Sequence, residues 1–533
     1  MEQDRRDRLR PTRLRRFRQD EEGSLVVAGL MLFMGVLLIG GLSVDIIRQD
    51  YNRLKLQSTL DSAILAAADL DQKLDPKAVV EDYFDKNGLL PQLDSVEVVE
   101  AINSRTVTAT AKMDTDTLFI QAIGFDSLLS QAAGTAREDI SDIEISMVLD
   151  ISGSMGSYGR MAKMQDAAKS FVETVLTSQE DANSNGEISV SVVPYSTQVA
   201  VPRGILNQMT LEHAHGYSSC VDFKGSDFST AALDVSQSRV QTGHFDPFTF
   251  SMPPRRLVCR TDAAAETTVL SRSSSDLKAQ IDALTPGGNT SIDVGIKWGA
   301  ALLDPSLRGA IDSMVTDGQV DDKLSGRPYG YDRNNSMKVL LVMTDGANTA
   351  QYMLRDGYRG DTLSDVWGYQ KSDGSWRTSL KSEEYRDTDD DGDWWEDWWR
   401  TSWGAWDDNP DGGNNAQRLT YAELWSVMST RYNAYYNHYA RYWNYNTYMD
   451  WYYDPWTTVG TSTKNARMTS ICNAVKDAGT LVFTVAFEIT ESNATLLRDC
   501  ASSENHYFNV AGDEIVYAFN AIASTINQLR LVQ

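Results

Sequence analysis

Histidine, cysteine and positive charge are all scarce in this chain of 533 residues. The five histidines are scattered, and neither a nucleophile elbow nor a P-loop is present, so hydrolase or ATPase chemistry lacks both its base and its phosphate cradle. Lys and Arg number 49 against 74 Asp and Glu, a formal net charge of −25. So acidic a body repels a phosphate backbone, which argues against nucleic acid as a partner. The four cysteines contain no C-x-x-C, and the histidines do not cluster with them, which disfavours a zinc site. They fall into two local pairs, Cys220 with Cys259 and Cys472 with Cys500, which read as two disulfides in an oxidising compartment. Sequence alone permits three pairings, and no internal repeat helps to choose among them.

The positive charge that exists is concentrated at one end. Arg5, Arg6, Arg8, Arg10, Arg13, Arg15, Arg16 and Arg18 precede an uncharged, apolar run from Gly23 to Val44. That run is long enough to cross a hydrocarbon core of about 30 Å. The positive-inside rule then predicts a cytoplasmic tail over 1–22, a signal anchor over 23–47 and export of the remainder. A cleaved signal peptide would carry a shorter apolar core and a small-residue site close behind it, and Ala66-Ala67-Ala68 lies too far downstream.

Beyond the anchor, Tyr51, Leu54, Leu56, Leu60, Ile64, Leu65 and Ala68 recur at helical spacing, predicting an amphipathic continuation over 50–70. Asp75 and Pro76 predict a helix over 76–86. Two strands, 96–99 and 106–111, complete a small α+β module within 48–140. From Ile143 strands and helices alternate. Strands at 143–149, 188–193, 339–343 and 481–487 are separated by helices at 162–176, 275–284, 293–303 and 466–478, with further helices at 493–501 and 513–529. This predicts an α/β fold over 141–533, a doubly wound, mainly parallel sheet covered on both faces. Two insertions interrupt it, at about 197–270 and 346–465. The second holds 12 of the 13 Trp and 14 of the 23 Tyr.

Asp150-Ile151-Ser152-Gly153-Ser154 follows the first of these strands, setting one carboxylate and two hydroxyls around a point. Thr290 lies in Gly287-Gly288-Asn289-Thr290-Ser291, and Asp345 ends the strand 339–343. These are hard oxygen donors, suited to Mg²⁺, with Ca²⁺ or Mn²⁺ as alternatives. In an open α/β sheet, ligands bind beyond the carboxyl ends of the strands, where Asp150 and Asp345 fall. The plainer reading is a helix cap and an ordinary turn. Three fragments in the right order favour a metal site of Asp150, Ser152, Ser154, Thr290 and Asp345.

Asp150-Ile-Ser-Gly-Ser-Met155, Gly288-Asn-Thr-Ser-Ile292 and Val342-Met-Thr-Asp-Gly346 resemble the metal-ion-dependent adhesion site of von Willebrand factor type A (vWA) domains, a Rossmann-like fold. Glu22-Gly23-Ser24, Val44-Asp45, Leu56 to Ala63 and Leu497 to Ser503 resemble the TadG-like family of Flp pilus (tight adherence) assembly proteins. The resemblance implies a single-pass protein of the bacterial inner membrane, its N-terminus cytoplasmic and its vWA domain periplasmic or surface-exposed. It implies binding of a pilus-machinery or surface protein, which donates a carboxylate to the metal, in pilus assembly or adhesion. A calcium-dependent surface adhesin unrelated to pili is the alternative, and a metal-dependent hydrolase a weaker one. A pseudopilin-like cleavage after Gly23 lacks the expected Glu.

The Trp/Tyr-rich insertion is not part of the family pattern. Asp387, Asp389, Asp391 and Asp393, with Gly392, match the front half of an EF-hand loop, but Trp398 stands where the bidentate Glu belongs. A solvated acidic loop is the competing reading. The weaker Asp181–Gly186 match reads better as a turn. From Tyr421 to Trp443 aromatic residues form a stripe of helical period, read as a single helix packed on its domain or as a contact surface.

Overall fold

The computed structural model describes residues 22–69, 72, 74–101, 104–139, 142–177, 187–333, 336–381, 399–400, 406–439, 444–489 and 491–531. The chain divides into two compact units, Met1–Asp139 and Ile140–Gln533.

The first unit is organised by one long helix, α1 (Glu22–Ala68). Its apolar segment is the only one among the described residues long and apolar enough to cross a membrane, and 6% of its most apolar window is buried. A core helix of a soluble domain would be covered instead. The second half of α1 changes character as its apolar residues take up helical spacing. Leu56, Leu60, Ala63, Ile64 and Ala67 are buried against α2 (Pro76–Lys86) and an antiparallel sheet of β1 (Leu93–Ala101), β2 (Ser104–Asp116) and β3 (Ser127–Asp139). Asp75 caps α2 by accepting from the Ala78 N–H at 3.0 Å, with Pro76 in the first turn.

The second unit is built on β4 (Asp142–Asp150), β5 (Ile188–Tyr195), β6 (Thr268–Ser271), β7 (Ser336–Thr344), β8 (Leu481–Phe487) and β9 (Tyr507–Val510). Their order across the sheet is β9-β8-β7-β4-β5-β6. All neighbours are parallel except the β5–β6 pair at one edge. Numbered from β4, this is the doubly wound order 3-2-1-4-5-6, whose direction reverses between β4 and β7.

Alternation along β4 assigns the two faces. Ile143, Ile145, Met147 and Leu149 pack with α3 (Arg160–Thr177), α4 (Ser274–Ala283) and α8 (Glu514–Leu531). Val148 faces α5 (Ile292–Ala301), α6 (Thr461–Asp477) and α7 (Glu491–Cys500). Burial on both sides explains why these strands are largely apolar, with Glu144, Ser146, Ser189 and Ser191 buried among the apolar residues. The cysteines pair as read, Cys220 with Cys259 and Cys472 with Cys500.

The two insertions share a core. Phe245 and Val258 from the first are buried with Leu354, Val366, Leu380, Leu424, Trp425 and Met428 from the second. The second insertion also contains a five-stranded sheet over Leu363–Gln370, Trp376–Lys381, Trp399–Arg400, Trp406–Asp407 and Gln417–Thr420, which the sequence pattern does not announce. The single aromatic helix expected from Tyr421 onward is not formed. An α-helix over Tyr421–Val427 ends at Met428, a short turn follows at Thr430–Tyr432, and Asn433–Tyr439 is a π-helix. Ser429 starts that turn by accepting from the Tyr432 N–H at 3.2 Å, and its own N–H donates to Ser251 of the first insertion. A cap inside a periodic stretch ends one helix and begins the next. Tyr421 and Trp425 are core, whereas Tyr435 and Tyr436 are exposed. The acidic loop with Asp387, Asp389, Asp391 and Asp393, and the turn at 181–186, lie outside the described residues.

Candidate metal centre

The reversal between β4 and β7 opens a crevice at their carboxyl ends, because the loops leaving the two strands run to opposite faces. Leu149 pairs with Met343, which brings Asp150 level with Thr344. The Thr344 hydroxyl donates to Asp150 Oδ2 at 2.6 Å and the Ser152 N–H to Asp150 Oδ1 at 2.8 Å. Tyr195, at the end of β5, adds a longer bond from its hydroxyl at 3.4 Å. The Ser152 and Ser154 hydroxyl oxygens are 3.0 Å apart, and Ser154 donates to Asp345 Oδ1 at 2.6 Å. Four of the five expected residues therefore form one connected cluster.

Thr290 comes to the same crevice through its loop. The Gly153 N–H donates to Gly288 O at 3.0 Å and the Gly287 N–H to Ile151 O at 2.8 Å, pinning that loop to the turn after β4. Gly288 has a φ of +84°, and a Cβ there would press on Thr197 and Ser196 at 3.0–3.3 Å, so this close approach requires glycine. Among the described residues no hydrogen bond ties the Thr290 side chain to the other four.

Three further residues shape the centre. Arg160, the first residue of α3, donates to Asp345 Oδ2 at 3.0 Å and to Glu488 Oε2 at 2.8 Å. Lys464 of α6 is buried and donates to Thr290 O, Ser291 Oγ and Thr349 O at 2.6–2.8 Å. Its burial pushes its pKa down to about 8. Arg160 and Lys464 sit in unremarked stretches of sequence, and only the fold brings them here. Glu488 immediately follows β8, a strand end like the two that carry the carboxylates, which is the one signal that would have found it.

Burial, and then the charge of Asp345, push the Asp150 carboxyl up to about 6. A cation held between the two carboxylates would offset both effects. The donor set of two carboxylates and three hydroxyls is all oxygen, which fits a hard divalent ion. Among the described residues no three His, Cys, Asp or Glu side chains converge, so neutral hydroxyls have to complete any such shell.

Strand order, the antiparallel edge strand and helices on both faces define the class of the second unit, a vWA fold. A more particular likeness comes from the other end of the chain, where residues 23–70 match the family model described as putative Flp pilus-assembly TadE/G-like. No curated protein matches. Similar solved structures include the von Willebrand factor domain of the type V pili tip protein Mfa5 from Porphyromonas gingivalis, at 15% identity, 74% of this chain, 98% of that chain and a TM-score of 0.31. The pilus adhesin RrgA from Streptococcus pneumoniae gives 12%, 81%, 49% and 0.31. Proximal thread matrix protein 1 from the mussel byssus, with a zinc-occupied MIDAS motif, gives 11%, 72%, 48% and 0.26. The chain spans about half the length of the last two. The fold assignment rests on strand order and register, not on these likenesses.

Proposed function

We propose that this is a single-pass envelope protein whose exported vWA unit docks a protein partner through a divalent ion, Mg²⁺ in the first instance, during pilus assembly or adhesion. The observation that carries the reading is the connected cluster of Asp150, Ser152, Ser154 and Asp345 at the switch point, with the loop of Thr290 pinned against it. These five residues would hold the ion, which when bound supplies an electrophilic position for a partner carboxylate. Thr344 and Tyr195 orient Asp150, Ser154 and Arg160 hold Asp345, and Lys464 fixes the Thr290 loop. The Arg-rich tail keeps the N-terminus in the cytoplasm and places the acidic body outside the inner membrane.

The test is a pull-down with the exported region, comparing Mg²⁺ with chelator and the native protein with Asp150→Ala. Loss of the same pilus-machinery component under chelator and in the variant is expected. A captured set unchanged in both comparisons overturns the metal bridge.

A further inference from the structure

The β2–β3 connection, residues 117–126, carries no charge from Thr117 to Phe125 and reads Thr-Leu-Phe-Ile-Gln-Ala-Ile-Gly-Phe. Leu118, Ile123 and Phe125 are 63%, 57% and 59% exposed, which makes the tip of this hairpin apolar and open. Its place along α1 is fixed by named contacts. Phe119 lies over Gly41 so closely that a Cβ on Gly41 would run into its ring. Asp45 accepts the N–H groups of Leu118, Phe119 and Ile120 at 2.7–3.2 Å. Further along the helix, Asn52 donates to Thr115 Oγ1 at 3.0 Å and Gln49 to Leu129 O at 3.3 Å. The hairpin strands thus run along α1 away from the apolar segment, with the tip at its end.

We infer that this tip is a second membrane contact, which enters the exported leaflet at the boundary between headgroups and acyl chains. The inference rests on reading α1 as the anchor. At about 1.5 Å per residue, the apolar run ending at Val44 fills a core of about 30 Å, so Asp45 stands at its edge and Gly41 about one turn inside. Phe119 is therefore held at the depth of lipid, and the exposed Leu118, Ile123 and Phe125 continue the apolar surface of the span. Irregular backbone is excluded from lipid unless its polar groups are satisfied. The Asp45 carboxylate does this for three successive N–H groups, Thr117 N–H bonds Asp126 O, and the Thr117 hydroxyl donates to Phe125 O at 2.6 Å. A loop made only for water would need neither the apolar tip nor this degree of capping. Two contacts of one module with the bilayer fix the rotation of α1, which a lone helix leaves free.

The test uses the full-length protein in vesicles of phosphatidylethanolamine with a minority of phosphatidylglycerol, spin-labelled at single introduced cysteines. Labels at Ile123→Cys and Phe125→Cys should be more accessible to dissolved oxygen than to a water-soluble nickel chelate. A label at Val99→Cys, exposed on β1, should show the reverse. Leu32→Cys reports on the anchor alone. A lipid-buried label at 32 with water-exposed labels at 123 and 125 overturns the second contact and leaves the anchor standing. A water-exposed label at 32 overturns both. Adding Asp45→Ala should move the label at 123 toward water while 32 stays buried; no movement overturns the role of Asp45.

Discussion

Asp150 is the residue on which the metal reading turns. It is fully buried, faces a second carboxylate across the switch point, and is pushed up to about 6 from an ordinary 3.8. A carboxyl raised in the fold is a charge that folding opposes, a cost that grows as pH rises from the ordinary 3.8 to about 6 and is constant above. In the metal-free protein near neutrality this costs up to about 3 kcal/mol. Asp150→Asn keeps the volume and one acceptor oxygen and removes the charge. It should raise the melting temperature of the metal-free protein and abolish the further rise that Mg²⁺ gives the native one, both read by calorimetry. If the variant and the native protein respond alike to Mg²⁺, Asp150 is not a ligand. Asp150, Ser152, Ser154 and Asp345 could be named in advance because each sits in a short motif at a strand end, and Thr290 because it sits in a short motif in the loop between α4 and α5. Arg160 and Lys464 could not, because their contacts with the site span between 115 and 185 positions of sequence.

Elements were legible in proportion to how strongly burial marks them. The four long parallel strands of the vWA unit are buried on both faces and stand out from their surroundings. β3 does not, because its inward residues are small: Ala132, Gly134 and Ala136 lie beneath α1, and a Cβ on Gly134 would come within 2.9 Å of Leu60 and Ile64. β6 is only four residues long and antiparallel, too short for period to declare it. Close approach also governs α5, the helix that follows the Thr290 loop. A Cβ on Gly299 would lie 2.5 Å from Val148 and 2.8 Å from Leu340. Alanine gains about 1 kcal/mol over glycine in an open helix, whereas overpacking a full core costs about 1–3 kcal/mol. Here the second effect wins, because the neighbours are themselves core side chains. Gly299→Ala should lower the denaturation midpoint. Gly309→Ala, in the helix Arg308–Thr316 with nothing within 4 Å, should raise it slightly. Equal effects at the two positions would mean that α5 is not seated as described.

The whole molecule joins an apolar helix in one unit to two disulfides in the other, and each fits the proposed export without reference to the other. Cys472 and Cys500 link α6 to the end of α7 across 28 positions, and Cys220 and Cys259 link across 39 within the first insertion. Loops of that length restrict the unfolded chain enough to stabilise the fold by about 3–4 kcal/mol each. Against a typical total of about 5–15 kcal/mol, the pair supplies a large share of the stability, and a reducing cytoplasm would withhold it. The unit Ile140–Gln533 has cores of its own, so it should fold when made alone under oxidising conditions and unfold in a cooperative transition. Reductant should shift that transition to markedly lower denaturant. Replacing Cys472 and Cys500 together by serine should account for about half of the shift, because the two loops are of similar length. If reduction leaves the midpoint unmoved, the disulfides do not carry this stability. The case for an oxidising destination would then rest on α1 and its basic tail alone.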